Sequence, residues 1–112
     1  MFDAFSFGCI TWNHEPHNYD VVVIDSQLQE RGPRPDNHLL EAAELSNYLS
    51  PSTKKVIVGT GASGVLQIAV GSKELLAQKN IELAAAPSAE AIELYNQEPN
   101  KSTVVAVIHS TC

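Results

Sequence analysis

Apolar residues in this chain fall into short runs divided by polar turns, and the runs predict the elements. From Phe5 to Trp12, apolar and polar positions alternate in part around Gly8, the pattern of a short strand or hairpin arm. Asn13 to Asn18 is turn-rich, and Tyr19 to Ile24 then carries the β-branched run Val21-Val22-Val23-Ile24. Two strands joined by a turn, an amino-terminal β-hairpin, is the simple reading. Asp25 to Pro35 is polar and holds Gly32, Pro33 and Pro35, which predicts a loop. Asp36 or Asn37 can then cap a helix whose stripe is Leu39, Ala42, Ala43, Leu45 and Leu49, stopped by Ser50-Pro51.

The second half alternates strand and helix. Lys55 to Val58 predicts a strand, and Val65 to Val70 shows a period of two that predicts a short strand. Ser72 is placed to cap a helix over Lys73 to Lys79. Ile81 to Ala86 predicts a strand, Pro87-Ser88 opens a helix carrying Ala91, Ile92 and Tyr95, and Asn96 to Lys101 turns the chain into a last buried strand, Thr103 to Ile108. Apolar strands separated by amphipathic helices imply parallel pairing through right-handed crossovers. The expected fold is a layered, α+β-like α/β domain over residues 1–112, with a parallel sheet and crossover helices in its C-terminal half and a β-hairpin at its start.

Between two of these strands lies Gly59-Thr60-Gly61-Ala62-Ser63-Gly64, which matches G-x-G-x-x-G. A dinucleotide loop of that form needs a helix directly after it, to present free amides to pyrophosphate, and an acidic residue at the end of the next strand. Val65 to Val70 alternates as a strand, and the next strand ends Ala84-Ala85-Ala86-Pro87, so both requirements fail. The glycines are read as a fold hinge that supplies positive φ angles, and no cofactor is expected. The alternative reading of the loop is a smaller anion in the cleft between it and the helix at Ser88, held by loop amides with the hydroxyls of Thr60 and Ser63. A hydrolase elbow, G-x-S-x-G around Ser63, fails because position 65 is Val65.

Composition adds limits. At 112 residues, 44% hydrophobic and 18% charged, the chain has the make-up of one globular domain. The net charge of −6, with seven scattered basic residues, argues against nucleic acid as a partner. Met1-Phe2-Asp3-Ala4 does not resemble a secretion signal and no apolar run is long enough to span a bilayer, so a cytoplasmic location without membrane association is expected. A disulfide between Cys9 and Cys112 is not expected in that reducing compartment.

Several polar residues are candidates for chemistry. His14 and His17, and His109 and Cys112, form two pairs at a spacing of three that would suit zinc if all four met. Nothing in the sequence brings the pairs together, so His109 is expected to pack or hydrogen-bond at a sheet end, and no metal is expected. A Cys112–His109 nucleophile pair lacks a third, orienting group. Asp20, Asp25 and Asp36 are expected to be solvated or to cap, and Trp12, Tyr48 and Tyr95 to lie in the core or at its edge. Asn96 is expected to cap its helix or to bond a neighbouring segment.

Gly59-x-Gly61 after an apolar strand, then Pro87-Ser88 with Ala91 and Tyr95-Asn96, then His109-Ser110-Thr111-Cys112, with Ile10-Thr11-Trp12 near the start, resembles the family of the adipogenesis-associated Mth domain-containing protein. The resemblance spans nearly the whole chain. It implies a layered α/β fold with an added β element at the amino end, and relatives that act in the assembly of respiratory complex I. Many members carry tryptophan where this chain has Gln27 to Pro35, which leaves any partner surface built on those tryptophans without its residues here. The expected function is a non-catalytic protein-binding or assembly module with an unidentified protein partner. The alternative is a small-molecule or anion-binding protein, or an enzyme, using Gly59, Thr60, Gly61, Ser63, Gly64, Ser88, Asn96, His109 and Cys112.

Overall fold

In the computed structural model, which describes residues 1–112, the amino end folds back on itself twice. β1 (Phe2–Ser6), β2 (Cys9–Trp12) and β3 (Glu15–His17) form an antiparallel three-stranded sheet in that order. Ser6 pairs with Cys9, so Phe7-Gly8 is a two-residue turn, and Gly8 takes a φ of +79°, open to glycine without strain. The β-hairpin expected between Phe5–Trp12 and Tyr19–Ile24 is therefore replaced. The Phe5–Trp12 run is itself bent at Gly8, and the valine run goes to another sheet.

That second sheet has five strands. β4 (Val21–Ile24) is followed by β5 (Gln27–Glu30), and the chain later adds β7 (Lys55–Gly59), β9 (Glu82–Ala86) and β10 (Val104–Ile108), in the order β5-β4-β10-β7-β9. β10, β7 and β9 are parallel, while β4 and β5 are antiparallel additions. The predicted parallel half is thus present. The loop expected over Asp25 to Pro35 instead contains β5, joined to β4 by Asp25-Ser26 with φ values of +52° and +63°. Aspartate tolerates that left-handed geometry, so a polar pair makes the hairpin that the missing glycine concealed.

Between β5 and β7 lie β6 (Leu39–Leu40) and α1 (Ala42–Ser46). Between β7 and β9 lie β8 (Gln67–Ile68) and α2 (Val70–Gln78), and between β9 and β10 lies α3 (Ser88–Asn96). Leu39 and Leu40 pair in parallel with Gln67 and Ile68, which removes them from the helix their stripe predicts and leaves α1 only five residues long. Ser72 does not cap α2. Ala69 holds that position, and the buried Ser72 hydroxyl donates to the Leu40 carbonyl at 2.8 Å.

The layers follow from strand alternation. Val21, Val23, Ile57, Val104, Ala106 and Ile108 point to one face, where they meet Ala91, Ile92 and Tyr95 of α3 together with Phe2 and Ile10 of the small sheet. Val22, Val56, Val58, Val105 and Val107 point to the other, against Leu40, Leu45, Tyr48, Leu66, Leu76 and Ile81. Each fully buried aliphatic side chain contributes roughly 1.5–3 kcal/mol, so both faces are needed. From β7 to β9 the chain moves outward with α2 on the second face, and from β9 to β10 it returns past β7 with α3 on the first. Opposite directions on opposite faces give both crossovers the same hand.

No helix is long and apolar enough to cross a membrane.

Candidate functional site

The sheet ends in register. Ile108 is level with Gly59 and with Val21, and Gly59 with Ala86, while Glu30 is level with Val21. One sheet end therefore carries, in strand order, Arg31, Asp20, His109, Thr60 and Pro87, each the residue flanking its strand at that end. This is the carboxyl end of the parallel strands. β7 and β9 send their connections to opposite faces there, the place where α/β folds usually form a ligand crevice.

The crevice is occupied by the chain itself. The amides of Ala62 and Val65 donate to the main-chain oxygens of Thr111 and Cys112 at 2.7 and 2.9 Å, and the Thr60 amide donates to Ala86. The Ser88 hydroxyl accepts from the Gly61 amide at 2.9 Å and donates to the His109 carbonyl at 2.7 Å, while the Ser88 amide at the start of α3 donates to the Gly61 carbonyl. A Cβ on Gly61, whose φ is +104°, would lie 2.4 Å from the Cys112 carbonyl carbon. Such packing explains why this position holds glycine.

Gly59, Gly61, Ser88, His109 and Cys112 are thus brought together, with Thr60 beside them through its hydroxyl bond to the Ala86 carbonyl. Ser63 and Gly64 are exposed at the outside of the loop. Asn96 is elsewhere, at the far end of α3, roughly 12 Å from Ser88 at 1.5 Å per residue. Its amide side chain accepts from the Phe2 amide at 3.0 Å and donates to the Phe2 carbonyl at 2.7 Å, so it binds a neighbouring strand.

The side chains of the same terminal segment face a polar cluster. Asp20 accepts four hydrogen bonds: from the Ser110 amide at 2.8 Å, the Ser110 hydroxyl at 2.9 Å, Arg31 at 2.9 Å and His109 Nδ1 at 2.8 Å. Burial alone would push this carboxyl up, but the bonds from His109, Ser110 and Arg31 outweigh it and hold it below the usual aspartate range. Asp20 is therefore neither solvated nor a cap, contrary to the sequence expectation. Its neighbours lie 11 and 89 positions away in the chain, which is why spacing rules missed it. A polar residue flanking a buried run at a shared sheet end was the available signal.

Arg31 uses every guanidinium proton. It forms a two-pronged pair with Glu44 at 2.7 and 2.9 Å, and reaches Asp20 and the carbonyls of Asn37 and Leu39. Burial works against its charge, and Glu44 and Asp20 overcome this and raise its pKa further. Tyr48 donates to Glu44 at 2.6 Å; burial, reinforced by that carboxylate, pushes its phenol up to about 12.

His109 is fully buried. Since the Asp20 carboxylate can only accept, His109 Nδ1 carries the proton, and in the neutral ring Nε2 holds the free lone pair. Nε2 lies 3.2 Å from the Thr111 hydroxyl. The His38 ring packs edge-on against the His109 ring at 4.9 Å, and His38 Nε2 lies 3.4 Å from Cys112 Sγ. His14 and His17, the partners the sequence suggested, are on the small sheet and its turn. His38, on the segment before β6, takes their place. Cys9 and Cys112 are both free thiols. Beside the cluster opens a polar cleft of about 530 Å³, whose walls include Asp20, Arg34, Asn37, Ser110 and Thr111.

Fold and site together define a small layered α/β domain whose strand ends are closed by its own terminal segment. The chain belongs to the family described as a protein of unknown function (DUF498/DUF598), whose model matches residues 2–109. A conserved hypothetical protein from Pyrococcus horikoshii OT3 is similar over 100% of this chain and 99% of its own, with 27% identity and a TM-score of 0.88. The structure called MT938 covers 100% of this chain and 98% of its own at 28% identity, with a TM-score of 0.80. An outer membrane protein from Bartonella henselae shares the fold at 19% identity and a TM-score of 0.79, over 99% of this chain and 94% of its own. No curated protein matches.

Proposed function

We propose that this chain is a non-catalytic protein-binding or assembly module that docks its partner at the closed sheet end. One observation carries this reading: of the five exposed large apolar side chains, three, Phe7, Tyr19 and Val65, lie on or next to residues that hydrogen-bond the terminal segment, whereas Met1 and Val70 do not. Phe7, 67% exposed, precedes Gly8, whose amide donates to the Ser110 carbonyl. Tyr19 precedes Asp20, which holds Ser110, and the amide of the exposed Val65 donates to Cys112. Exposed aromatic side chains are the residue type that most often anchors a protein partner. The resemblance to the adipogenesis-associated Mth domain-containing family, with its complex I assembly relatives, supports the same reading.

Affinity capture from the native cell tests it. The wild-type chain should retain a protein partner, and the Phe7→Ser, Tyr19→Ser double variant should lose it while keeping its melting temperature. Capture of this chain alone, or retention by the double variant, overturns the proposal.

The polar cleft beside Asp20 favours a second reading, a small polar ligand with Ser110 and Thr111 among its contacts. Inorganic phosphate and a small-metabolite panel should then raise the melting temperature by mass action. An unchanged melting temperature across the panel sinks this reading without touching the first.

A further inference from the structure

We propose that His38, His109 and Cys112 hold one zinc-class divalent ion through His38 Nε2, His109 Nε2 and Cys112 Sγ. The three residues each place a donor atom within 4.8 Å of the others. Zinc bonds nitrogen at about 2.0–2.1 Å and thiolate at about 2.3 Å, so tetrahedral donors sit roughly 3.3–3.6 Å apart. His38 Nε2 and Cys112 Sγ are already 3.4 Å apart. Closing the remaining gap requires a small movement of His38, which is half-buried on an irregular segment.

His109 is the fixed donor. Its Nδ1 proton is held by Asp20 at 2.8 Å, and Asp20 is itself anchored by Arg31 and by Ser110. A ligating histidine normally donates its other ring nitrogen to a carboxylate, which sets the tautomer and strengthens the donor. Here that outer shell stands ready. The Thr111 hydroxyl, 3.2 Å from Nε2, rotates away when the ion enters.

Two imidazoles and a thiolate select a borderline or soft ion over magnesium or calcium. On binding, the Cys112 S–H bond breaks, its proton leaves to solvent and the sulfur–metal bond forms; nothing is oxidised or reduced. Three protein donors leave a fourth position for water or for a side chain of a docked partner.

The test uses the untagged full chain, stripped with a chelator and titrated with cobalt(II) and then zinc. One equivalent of cobalt should bind with thiolate-to-metal charge transfer and the intense visible bands of tetrahedral coordination, and zinc should displace it. Zinc should also raise the melting temperature. His38→Ala and Cys112→Ser should each weaken binding by at least about tenfold, while Cys9→Ser should bind as the wild type does. His38→Ala keeps the test valid if Cys112→Ser fails to fold. Absence of the charge-transfer band in the wild type, or undiminished binding in folded His38→Ala, overturns the proposal.

Discussion

The glycine loop and the Asp20–His109 cluster share one short segment and use it in opposite ways. Towards Gly59–Gly64 the segment offers main-chain groups: the carbonyls of His109, Thr111 and Cys112 accept from Ser88, Ala62 and Val65. Towards β4, β5 and His38 it offers side chains, with His109, Ser110 and Cys112 in contact with Asp20 and His38. In the loop that looks like a phosphate site, the amides of Thr60, Gly61 and Ala62 are engaged within the fold. The residues that look scattered in sequence assemble the reactive groups. A glycine motif thus reports backbone geometry, and whether it leaves free donors depends on what the chain packs against it.

Breaking the cluster should have the largest effect. Arg31→Met removes five donors, leaving Asp20 to His109 and Ser110 and leaving buried Glu44 with Arg34, at 3.4 Å, as its remaining cation. Removal of one member of such a buried pair costs about 3–5 kcal/mol, to be read from urea unfolding. A loss below about 1 kcal/mol would mean that water or Arg34 replaces Arg31, and that the cluster is not what ties β5 to α1.

The loop side should break next, and unevenly. Gly61→Ala combines a disfavoured φ of +104° with a clash at 2.4 Å against Cys112; strain and overpacking together predict a loss of about 2–4 kcal/mol. Gly64→Ala, with φ +71° and its nearest neighbour at 3.6 Å, should lose only about 1 kcal/mol. Equal losses would show that conformation alone, without packing against the terminal segment, fixes these glycines.

Much of this fold was legible in sequence because apolar alternation reports burial directly. Val21–Ile24, Lys55–Val58 and Val104–Ile108 read as strands and are strands. The misses share a cause, long-range pairing that overrides local preference. Leu39-Leu40 carries a helical stripe but finds a parallel partner in Gln67-Ile68, and Gln27–Glu30 looks like loop until β4 supplies its ladder. The site was less legible for the same reason. His109 and Cys112 stood out by type, but Asp20, Arg31, His38 and Glu44 acquire their roles only from the tertiary arrangement.

Acid should act on the cluster and spare the loop. Asp20 has a folded pKa below its unfolded value, so its contribution is complete above about pH 4 and is lost as pH falls through the folded value. The melting temperature should therefore decline in that acid window. Asp20→Asn should show a shallower decline, with a lower starting stability. An unchanged acid slope in the variant would place the lost protonation energy on other carboxylates.

The smallest expected effect is the most diagnostic, because it concerns a buried polar atom outside the cluster. The Tyr95 hydroxyl is buried without a well-formed hydrogen bond, Ser26 being the side chain that acts on it, whereas its ring packs edge-on with Phe2 at 5.5 Å and tilted against Trp12 at 6.0 Å. The ring contributes to the core, while the hydroxyl carries an uncompensated loss of hydration. Tyr95→Phe keeps the first and removes the second, so unfolding should show no loss, or a gain of up to about 1 kcal/mol. A clear loss would mean that the hydroxyl reaches water or a neighbour in solution. The contrast between Asp20 and Arg31, which are fully partnered at the sheet end, and a poorly partnered hydroxyl in the core would then fail. If the variant is neutral or more stable while Arg31→Met collapses, burial alone does not make a polar group structural in this protein; what matters is the number of partners it holds in place.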